Sequence, residues 1–364
     1  MWQKLLSCDI NGKILNVIKD MYSKTKSCIK KGDLLSDYFP CNIGVRQGDN
    51  LSPLLFALFI NDFKLHISKS YKGLSIADTC YPSLKNEDII LMKLFVLLYA
   101  DDTIVLAENE YDLQMALKSL FEYCVMYNLT VNTSKTKIII FSRGMVRKYP
   151  SFQYGSDSIE VVSEYVYLGV KMAYNNKFSK AMKKQLDQGR RSQFSMLIKA
   201  MKLDLPIDIQ SKMFENVVFP VLLYGSEVWV FQSVEMLEVF HRNVLKKILK
   251  LRPSTPNCMV YGEVGALPLQ VSVDKRVINY WLRLLNKKES TFSYIVYNIA
   301  LKLFVIGDYR TQWLCRVKCI LDSCGLSYIW DNQREINTNV CRKVIHRKIE
   351  DILSIYYTPI GVLF

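Results

Sequence analysis

Two apolar runs that meet at a pair of carboxylates constrain the fold of this chain more than any other feature. The stretch "KLFVLLYADDTIVLAEN" places Phe95–Leu98 and Thr103–Leu106 on either side of Asp101 and Asp102. Two short runs rich in β-branched and aromatic residues around a polar turn are typical of a β-hairpin. Adjacent anions repel each other and cost desolvation energy unless a cation lies against them. The sequence therefore predicts a hairpin whose tip is either a solvated turn or a cation site.

Length and composition limit the classes of protein. The 364 residues, half of them hydrophobic, are enough for two or three modules with packed cores. Apolar runs such as Pro53–Ile60 are far shorter than the about 18 residues that cross a bilayer, and the first residues lack the apolar core of a secretion signal. Ten cysteines without regular spacing favour free thiols over a disulfide framework. We therefore expect an intracellular protein with no membrane role.

The charge of the chain points to an anionic partner. The formal net charge is +14, and Lys and Arg are concentrated in the second half. Such an asymmetry indicates an anionic polymer or surface, although charge alone carries no sequence specificity.

The first half alternates helical and extended patterns. Residues Gly12–Tyr22 have the spacing of an amphipathic helix, and Ser52 as N-cap with Pro53 at the first position begins an apolar helix that must be buried on most sides. After the Phe95–Leu106 hairpin, Asp112 can cap a further helix, and "LTVNTSKTKIIIFSR" predicts a turn that feeds a strand. The order helix, hairpin, helix, strand is most of a split βαβ sandwich.

The second half is mainly helical in pattern. Residues 153 to 171, with "YVYLGVKM", predict a second short hairpin, and Phe178–Met201 predicts a basic helix. Pro206 and Pro220 separate further helices, and "HRNVLKKILKLR" adds a second basic helical face. Prolines and glycines between 252 and 268 predict a loose connection before a helical C-terminal region.

Several short segments occur in a familiar order. "GVRQGDNLSPLLF", "YADD", "NTSKTK" and "YLG" are followed by "FPVLLYGSEVW" and "STPNCMVYGEVGALPL". This set resembles the reverse transcriptases of non-LTR (LINE-like) retrotransposons over nearly the whole chain. The resemblance implies an α+β fold with an incomplete right-hand polymerase palm (split βαβ, ferredoxin-like), followed by a mainly helical thumb and C-terminal region. It implies a partial palm over 1–150, a primer-grip hairpin over 151–175, a thumb over 176–252 and a C-terminal helical region over 253–364.

The resemblance also implies two-metal nucleotidyl transfer. Mg²⁺ prefers carboxylate oxygens, so Asp101 and Asp102 would be catalytic metal ligands, with Lys135 near the pyrophosphate as a possible general acid. Arg46, Gln47, Gly48 and Tyr99 would contact the nucleotide or template, and Leu168 with Gly169 would grip the primer terminus. The alternatives are a local ion pair between Arg46 and Asp49, a solvated Lys135 and an ordinary tight hairpin at Leu168–Gly169.

Two basic or thiol-rich stretches have competing interpretations. The helix that begins near Phe178 would contact the phosphates of template and primer, or it would be a solvated helix face. The residues concerned are Lys180, Lys183, Lys184, Arg190 and Arg191.

Near the C-terminus, the spacing of Cys315, Cys319, Cys324, Cys341 and His346 fits no familiar zinc finger. Cys315 and Cys319 lie one turn apart on a core-like face, so we expect no zinc.

In the relatives, a third catalytic carboxylate lies on a strand just before a segment like "MWQKLL", with which this sequence starts. Asp9, in a helix-like region, does not replace it. We therefore expect weak metal binding, slow or no polymerisation by this chain alone, an unpaired apolar edge beside the Phe95–Leu106 hairpin and poor solubility.

The interpretation we favour is an RNA-directed DNA polymerase fragment that uses an RNA template, a DNA primer and deoxynucleoside triphosphates, with nuclear action expected from the resemblance only. The alternative is a catalytically inactive nucleic-acid-binding remnant. A third hypothesis, a structural helical protein with an accidental Asp pair, requires several ordered segments to coincide by chance.

Overall fold

The structure, a computed structural model, describes residues 1–41, 44–46, 48–76, 92–94, 96–99, 101–142, 144, 149–229, 234–305, 312–333 and 335–355. They divide into two compact units. Unit 1 comprises residues 1–136 and 150–160, and unit 2 comprises residues 137–149 and 161–364. The mixture of helices and short strands confirms the α+β class. In the described residues each sheet has two antiparallel strands, so a continuous palm sheet is not among the elements observed there.

Unit 1 combines short helices with small hairpins. Its elements are α1 (Trp2–Ser7), α2 (Gly12–Ser23), β1 (Lys26–Ser27), β2 (Lys30–Lys31), β3 (Leu34–Leu35), β4 (Phe39–Pro40), α3 (Ser52–Ile60), α4 (Phe63–Ile67), β5 (Leu74–Ile76), β6 (Met92–Leu94), β7 (Val96–Tyr99), β8 (Asp102–Val105), α5 (Glu110–Met126), β9 (Phe152–Tyr154) and β10 (Asp157–Ile159).

Two small cores are seen among the described residues of this unit. Leu5, Leu15, Ile18 and Leu55 pack α1, α2 and α3 against one another. A second core joins α4 to α5, and Val96 and Val105 of the β7–β8 hairpin pack against it. The hairpin is thus attached to the unit through the apolar side chains of its strands, which leaves its tip at the surface.

Helix α3 differs from its prediction. Only Ser52 and Leu55 of this apolar helix are buried, whereas Leu54 is 55% exposed, so the expectation of burial on most sides was wrong. Ser52 is the first helical residue rather than the N-cap, and its Oγ lies 3.1 Å from the Tyr22 hydroxyl. The Asp49 carboxylate instead accepts the N–H of Leu51, two residues further along the chain, at 3.0 Å.

The N-terminus of α5 shows a second correction. Asn109, not Asp112, is the N-cap: its side-chain oxygen accepts the Asp112 N–H at 2.8 Å. The Asn109 side-chain amide also donates to the Asp112 carboxylate at 2.9 Å, so the two side chains hold each other at the start of the helix. In the described residues after Lys137, the expected strand is reduced to one parallel bridge between Ile138 and Val161. The Val162 N–H donates to the Ile138 carbonyl at this bridge.

Unit 2 is mainly helical, as predicted. Its elements are β11 (Glu164–Tyr167), β12 (Val170–Ala173), α6 (Ser179–Lys202), α7 (Ile207–Met213), a π-helix (Phe214–Val218), α8 (Phe219–Leu222), α9 (Ser226–Trp229), α10 (Glu235–Ile248), α11 (Asn257–Val264), α12 (Leu269–Leu285), α13 (Phe292–Val305), α14 (Gln312–Ser323), α15 (Ser327–Asp331) and α16 (Thr338–Ile355).

Two larger cores organise this unit. One packs α6, the π-helix, α8 and α10 around Phe214 and Trp229, and the other packs α12, α14 and α16 around Trp281. The connection expected between 252 and 268 contains helix α11, whose Val260 and Tyr261 are buried against α10. Among the helices in the described ranges, none has the length and apolar character needed to cross a bilayer.

Candidate functional site

The Asp101–Asp102 pair lies at the tip of a hairpin, as the sequence predicted. Strands β7 and β8 are antiparallel, with Val96 opposite Val105 and Tyr99 opposite Asp102. Asp102 begins β8 and Asp101 belongs to the turn, so both carboxylates are carried by a short, apolar-sided scaffold. Phe95, which was expected in the first arm, lies outside the described residues. The hairpin itself is confirmed.

Both carboxylates are open to solvent. Asp101 and Asp102 are exposed, and within the described part of the chain neither side chain forms an ion pair. Carboxylate oxygens are the hard ligands that Mg²⁺ prefers, so the chemistry of this pair fits a divalent cation. The described residues contain no cluster of three or more His, Cys, Asp or Glu side chains around a point. They therefore contribute two carboxylates to such a site.

The turn before α3 is organised differently from its prediction. The Arg46 guanidinium donates to the Met21 carbonyl, and to Thr25 Oγ1 at 2.8 Å, while Asp49 accepts from Tyr22 at 3.3 Å. The local ion pair between Arg46 and Asp49 was therefore wrong: each side chain has a partner near the end of α2. Gln47 and the side chain of Tyr99 lie outside the described residues.

Arg46 also lines an open, cationic groove. The groove has a volume of about 780 Å³. Gly48 lies at the bend beside Arg46 with φ of +86°, a left-handed conformation that favours glycine. The groove is lined by Lys24, Thr25, Lys26, Ser27, Tyr38 and Arg46. A groove with three cationic side chains and one aromatic ring can hold an anionic, ring-bearing ligand.

Lys135 lies on a separate turn. The backbone N–H groups of Lys135 and Thr136 donate to the Asn132 carbonyl at 3.2 and 3.0 Å, and the Lys135 side chain is exposed. The turn is confirmed. The proposed role of the Lys135 ammonium near a pyrophosphate stays a prediction.

The second hairpin carries Leu168 and Gly169 at its tip. Tyr167 pairs with Val170, so these two residues alone form the turn, with φ of +45° and +82°. Two-residue hairpin turns with positive φ match the twist of the strands they join. A further small hairpin, β9–β10, precedes it, so residues 152 to 173 contain two hairpins where the sequence predicted one.

The basic helix α6 has one exposed face with Lys183, Arg190 and Arg191 on it. Arg190 pairs with Asp187 at 3.0 Å, both being 60% exposed, so this contact contributes little. Two other predicted phosphate-binding residues have internal partners. Lys180 lies 2.7 Å from Glu164, and Lys184 donates to the Gly169 carbonyl at 3.1 Å.

The C-terminal cysteines occupy unlike environments. Cys324 is buried in the core around Trp281, and burial raises the pKa of its thiol. Cys319 is exposed, so the expectation that Cys315 and Cys319 share a core face was wrong for Cys319. His346 lies on α16, where burial and the charges of Lys275 and Arg342 lower its pKa.

Sequence reasoning missed a cluster of residues, distant along the chain, that surrounds the Lys4 ammonium. Lys4 Nζ lies 2.6 Å from Asp62 Oδ1, 2.9 Å from the Tyr123 hydroxyl and 3.6 Å from the centre of the Tyr127 ring, and it also donates to the Phe59 carbonyl. We call Phe59, Asp62, Tyr123 and Tyr127 the Lys4 cage. Its members come from α3, α5 and the α3–α4 junction, and no local spacing in the sequence could have joined them to Lys4.

Comparisons with known proteins match the part of the chain that contains the Asp101–Asp102 hairpin. Residues 1–172 match the family model described as reverse transcriptase (RNA-dependent DNA polymerase). The chain is 26% identical over 161 residues, 42% of its own length, to an uncharacterised transposon-derived protein of Caenorhabditis elegans, of which that match covers 55%.

Two further relatives are polymerases of mobile elements. The RNA-directed DNA polymerase from mobile element jockey of Drosophila funebris is 21% identical over 244 residues, 66% of this chain and 25% of that protein. The Pol polyprotein from the type-1 retrotransposable element R2 of Popillia japonica is 25% identical over 164 residues, 43% of this chain and 24% of that protein. The chain thus spans about half of the first of these relatives and about a quarter of the other two. Residues 1–172, just under half of the chain, thus match the reverse transcriptase family, and the chain is similar to polymerases of non-LTR retrotransposons.

Proposed function

We propose that this chain carries part of the active centre of an RNA-directed DNA polymerase that copies an RNA template by two-metal nucleotidyl transfer. The observation that carries the proposal is the open Asp101–Asp102 pair at the hairpin tip, inside the segment that matches the reverse transcriptase family. Asp101 and Asp102 would hold Mg²⁺, which when bound activates the primer 3′-hydroxyl and neutralises the triphosphate.

Other residues of unit 1 would bind the nucleotide and template. Arg46 lines the cationic groove, and Gln47, Gly48 and Tyr99 are its sequence-predicted companions. Lys135 would protonate the leaving pyrophosphate. These roles rest on the matched family and on the cationic character of the groove.

Residues of unit 2 would hold the nucleic acid. In this proposal residues 151–175 are the primer grip, 176–252 the thumb and 253–364 a C-terminal helical region, with 1–150 as the partial palm. Lys183, Arg190 and Arg191 are exposed on one face of α6 and would contact phosphates without reading bases. The partners would be an RNA template, a DNA primer and deoxynucleoside triphosphates, and the place of action would be the nucleus.

The test is primer extension on an RNA template with Mg²⁺ and deoxynucleotides. Extension by this chain alone is expected to be slow, and we expect it to fall by at least a further hundredfold in the Asp101→Asn, Asp102→Asn double variant, because both carboxylates are lost. A charge-matched control, Asp33→Asn with Asp37→Asn, changes two exposed acids of unit 1 and should leave extension unchanged. Equal rates in both double variants would refute the assignment. Hybrid binding without extension by the unchanged chain would support the alternative, a nucleic-acid-binding remnant.

The thumb assignment has its own test. Each phosphate contact contributes about 0.9 to the slope of log K against log salt for a duplex, so alanine at Lys183, Arg190 and Arg191 should reduce that slope by about 2 to 3. The control is alanine at Lys343, Arg347 and Lys348, which are exposed on α16. If both triple variants lose the same amount, binding reflects net charge and α6 has no special role.

A further inference from the structure

The turn at Leu168–Gly169 has an unusual residue for its conformation. Leu168 has φ of +45°, a strained region that a γ-branched side chain rarely adopts. Gly169, at +82°, adopts its conformation without that penalty. A strained turn of this kind persists only where neighbouring groups fix it. The structure supplies such groups on both carbonyl oxygens of the turn.

Two elements of unit 2 hold these carbonyls. The Tyr224 hydroxyl, at the end of α8, donates to the Leu168 carbonyl at 3.0 Å. From α6, Lys184 Nζ and Gln185 Nε2 donate to the Gly169 carbonyl at 3.1 and 3.3 Å. Every carbonyl of the two-residue turn is therefore bonded to a side chain.

Packing restricts the turn further. A Cβ atom at Gly169 would lie 2.9 Å from the ring of Tyr224, so the ring lies directly against the glycine. Tyr224 is itself held, because the indole N–H of the fully buried Trp229 donates to its carbonyl at 2.9 Å. Gln185 is 1% exposed. Gln185 and Trp229 thus anchor the turn to the buried core of unit 2, whereas the Tyr224 side chain is 50% exposed.

Lys184 differs from its neighbour Lys183. Burial lowers the pKa of Lys184, and the nearby Lys171 ammonium lowers it further, which marks a lysine turned towards the protein. Lys183 is exposed on the outer face of α6.

The turn can offer two kinds of group to a partner. One is the Leu168 side chain, which is 36% exposed, and the other is the N–H groups of Leu168 and Gly169, which donate no backbone hydrogen bond within the described ranges.

We propose that Tyr224, Lys184 and Gln185 are positioning residues that fix the Leu168–Gly169 turn so that its N–H groups and the Leu168 side chain face the end of the primer strand. The proposal rests on the proposed function, since it needs the hairpin to contact the primer. It assigns Lys184 to the hairpin turn and Lys183 to the nucleic acid, although the two are adjacent in sequence.

The experiment compares two pairs of variants of the full chain bound to a DNA primer on an RNA template, with 2-aminopurine as the 3′-terminal primer base. Tyr224→Phe removes one hydroxyl, and Tyr328→Phe, an exposed tyrosine of α15, is its control. Lys184→Met and Lys183→Met remove one charge each. Affinity is read from the polarisation of a dye at the far end of the duplex. Contact between the protein and the primer terminus is read from the change in 2-aminopurine fluorescence.

The expected result is a separation of the two readouts. Tyr224→Phe and Lys184→Met should lose at least half of the terminus signal while the dissociation constant changes less than about 2-fold, whereas Lys183→Met should weaken binding and keep the signal. Without nucleic acid, hydrogen exchange in the β11–β12 hairpin should be about 5-fold faster in Tyr224→Phe, as expected for one lost hydrogen bond.

Other outcomes overturn one or both proposals. An unchanged terminus signal in Tyr224→Phe and Lys184→Met, with the unchanged chain binding normally, refutes the positioning roles and leaves the proposed function intact. No binding of the hybrid by the unchanged chain refutes the proposed function, and the positioning proposal fails with it even if hydrogen exchange shows that the turn is held. A loss of affinity equal to the loss of terminus signal shows that these residues only maintain the fold.

Discussion

The Lys4 cage gives the sharpest stability prediction. Replacing Lys4 with methionine keeps most of the apolar stem and removes the ammonium that Asp62, Tyr123 and the Phe59 carbonyl accept from. Hydrogen bonds to charged groups contribute about 1.5–3 kcal/mol, and a cation over an aromatic ring adds about 0.5–2 kcal/mol. Asp62 is 43% exposed, so water replaces part of what is lost. We expect Lys4→Met to destabilise the attachment of α1 by about 2 kcal/mol.

Hydrogen exchange measures this local effect directly, because a chain of two units need not unfold in one transition. A loss of about 2 kcal/mol corresponds to about 30-fold faster exchange of the protected amides of α1. Lys24→Met is the control, since the Lys24–Asp20 pair of α2 is 3.3 Å long and mostly exposed, and it should change exchange less than about 2-fold. Equal, small effects of both substitutions would refute the reasoning.

The Lys4–Asp62 pair also predicts a pH dependence. Burial opposes the ionisation of Asp62, but hydrogen bonds from Lys4, Tyr123 and Tyr127 outweigh it and hold the pKa of Asp62 below its ordinary value. A depressed carboxyl pKa stabilises the fold at pH values above the ordinary pKa, and this contribution is lost as pH falls through the folded-state pKa. The difference between the unchanged chain and Lys4→Met should therefore be full at pH 7 and shrink below about pH 4. A difference that stays constant down to pH 2 would exclude the carboxylate as its source.

Three further predictions concern other contacts. Asn109→Ala removes the N-cap of α5 and should lower the stability of unit 1 by about 1 kcal/mol in urea unfolding, whereas an effect below about 0.3 kcal/mol would exclude the capping role. Gly189→Val places a Cβ 2.8 Å from Leu222 Cδ1, so it should destabilise unit 2 by about 1–3 kcal/mol by tryptophan fluorescence, and Leu222→Ala should partly reverse this loss. Hydrogen bonds from Lys171 and Lys180 lower the pKa of Glu164, so exchange in the β11–β12 hairpin should accelerate as the pH falls below about 4. Glu164→Gln should abolish this acceleration, and an unchanged pH profile in that variant would contradict the assignment.

Local pattern determined much of what was found. The two apolar runs on either side of Asp101 and Asp102 specified the β7–β8 hairpin, and helical spacing specified α6 to within about a residue at each end. The order of short segments indicated the family whose model matches residues 1–172, because residue types at a turn and their spacing are written directly in the chain. These features depend on neighbours within a few residues, which a sequence shows without the fold.

The tertiary structure decided what those elements contact. Lys4 reaches Asp62 and Tyr123, 58 and 119 residues away, and nothing near Lys4 in the sequence indicates a cage. Lys183 and Lys184 are indistinguishable in the sequence, yet one faces solvent and the other the Gly169 carbonyl, because successive helical residues point about 100° apart and only packing fixes which side is buried. Helix α3 was misjudged for the same reason: an apolar composition shows that a surface could be buried, but only the positions of other elements determine whether it is.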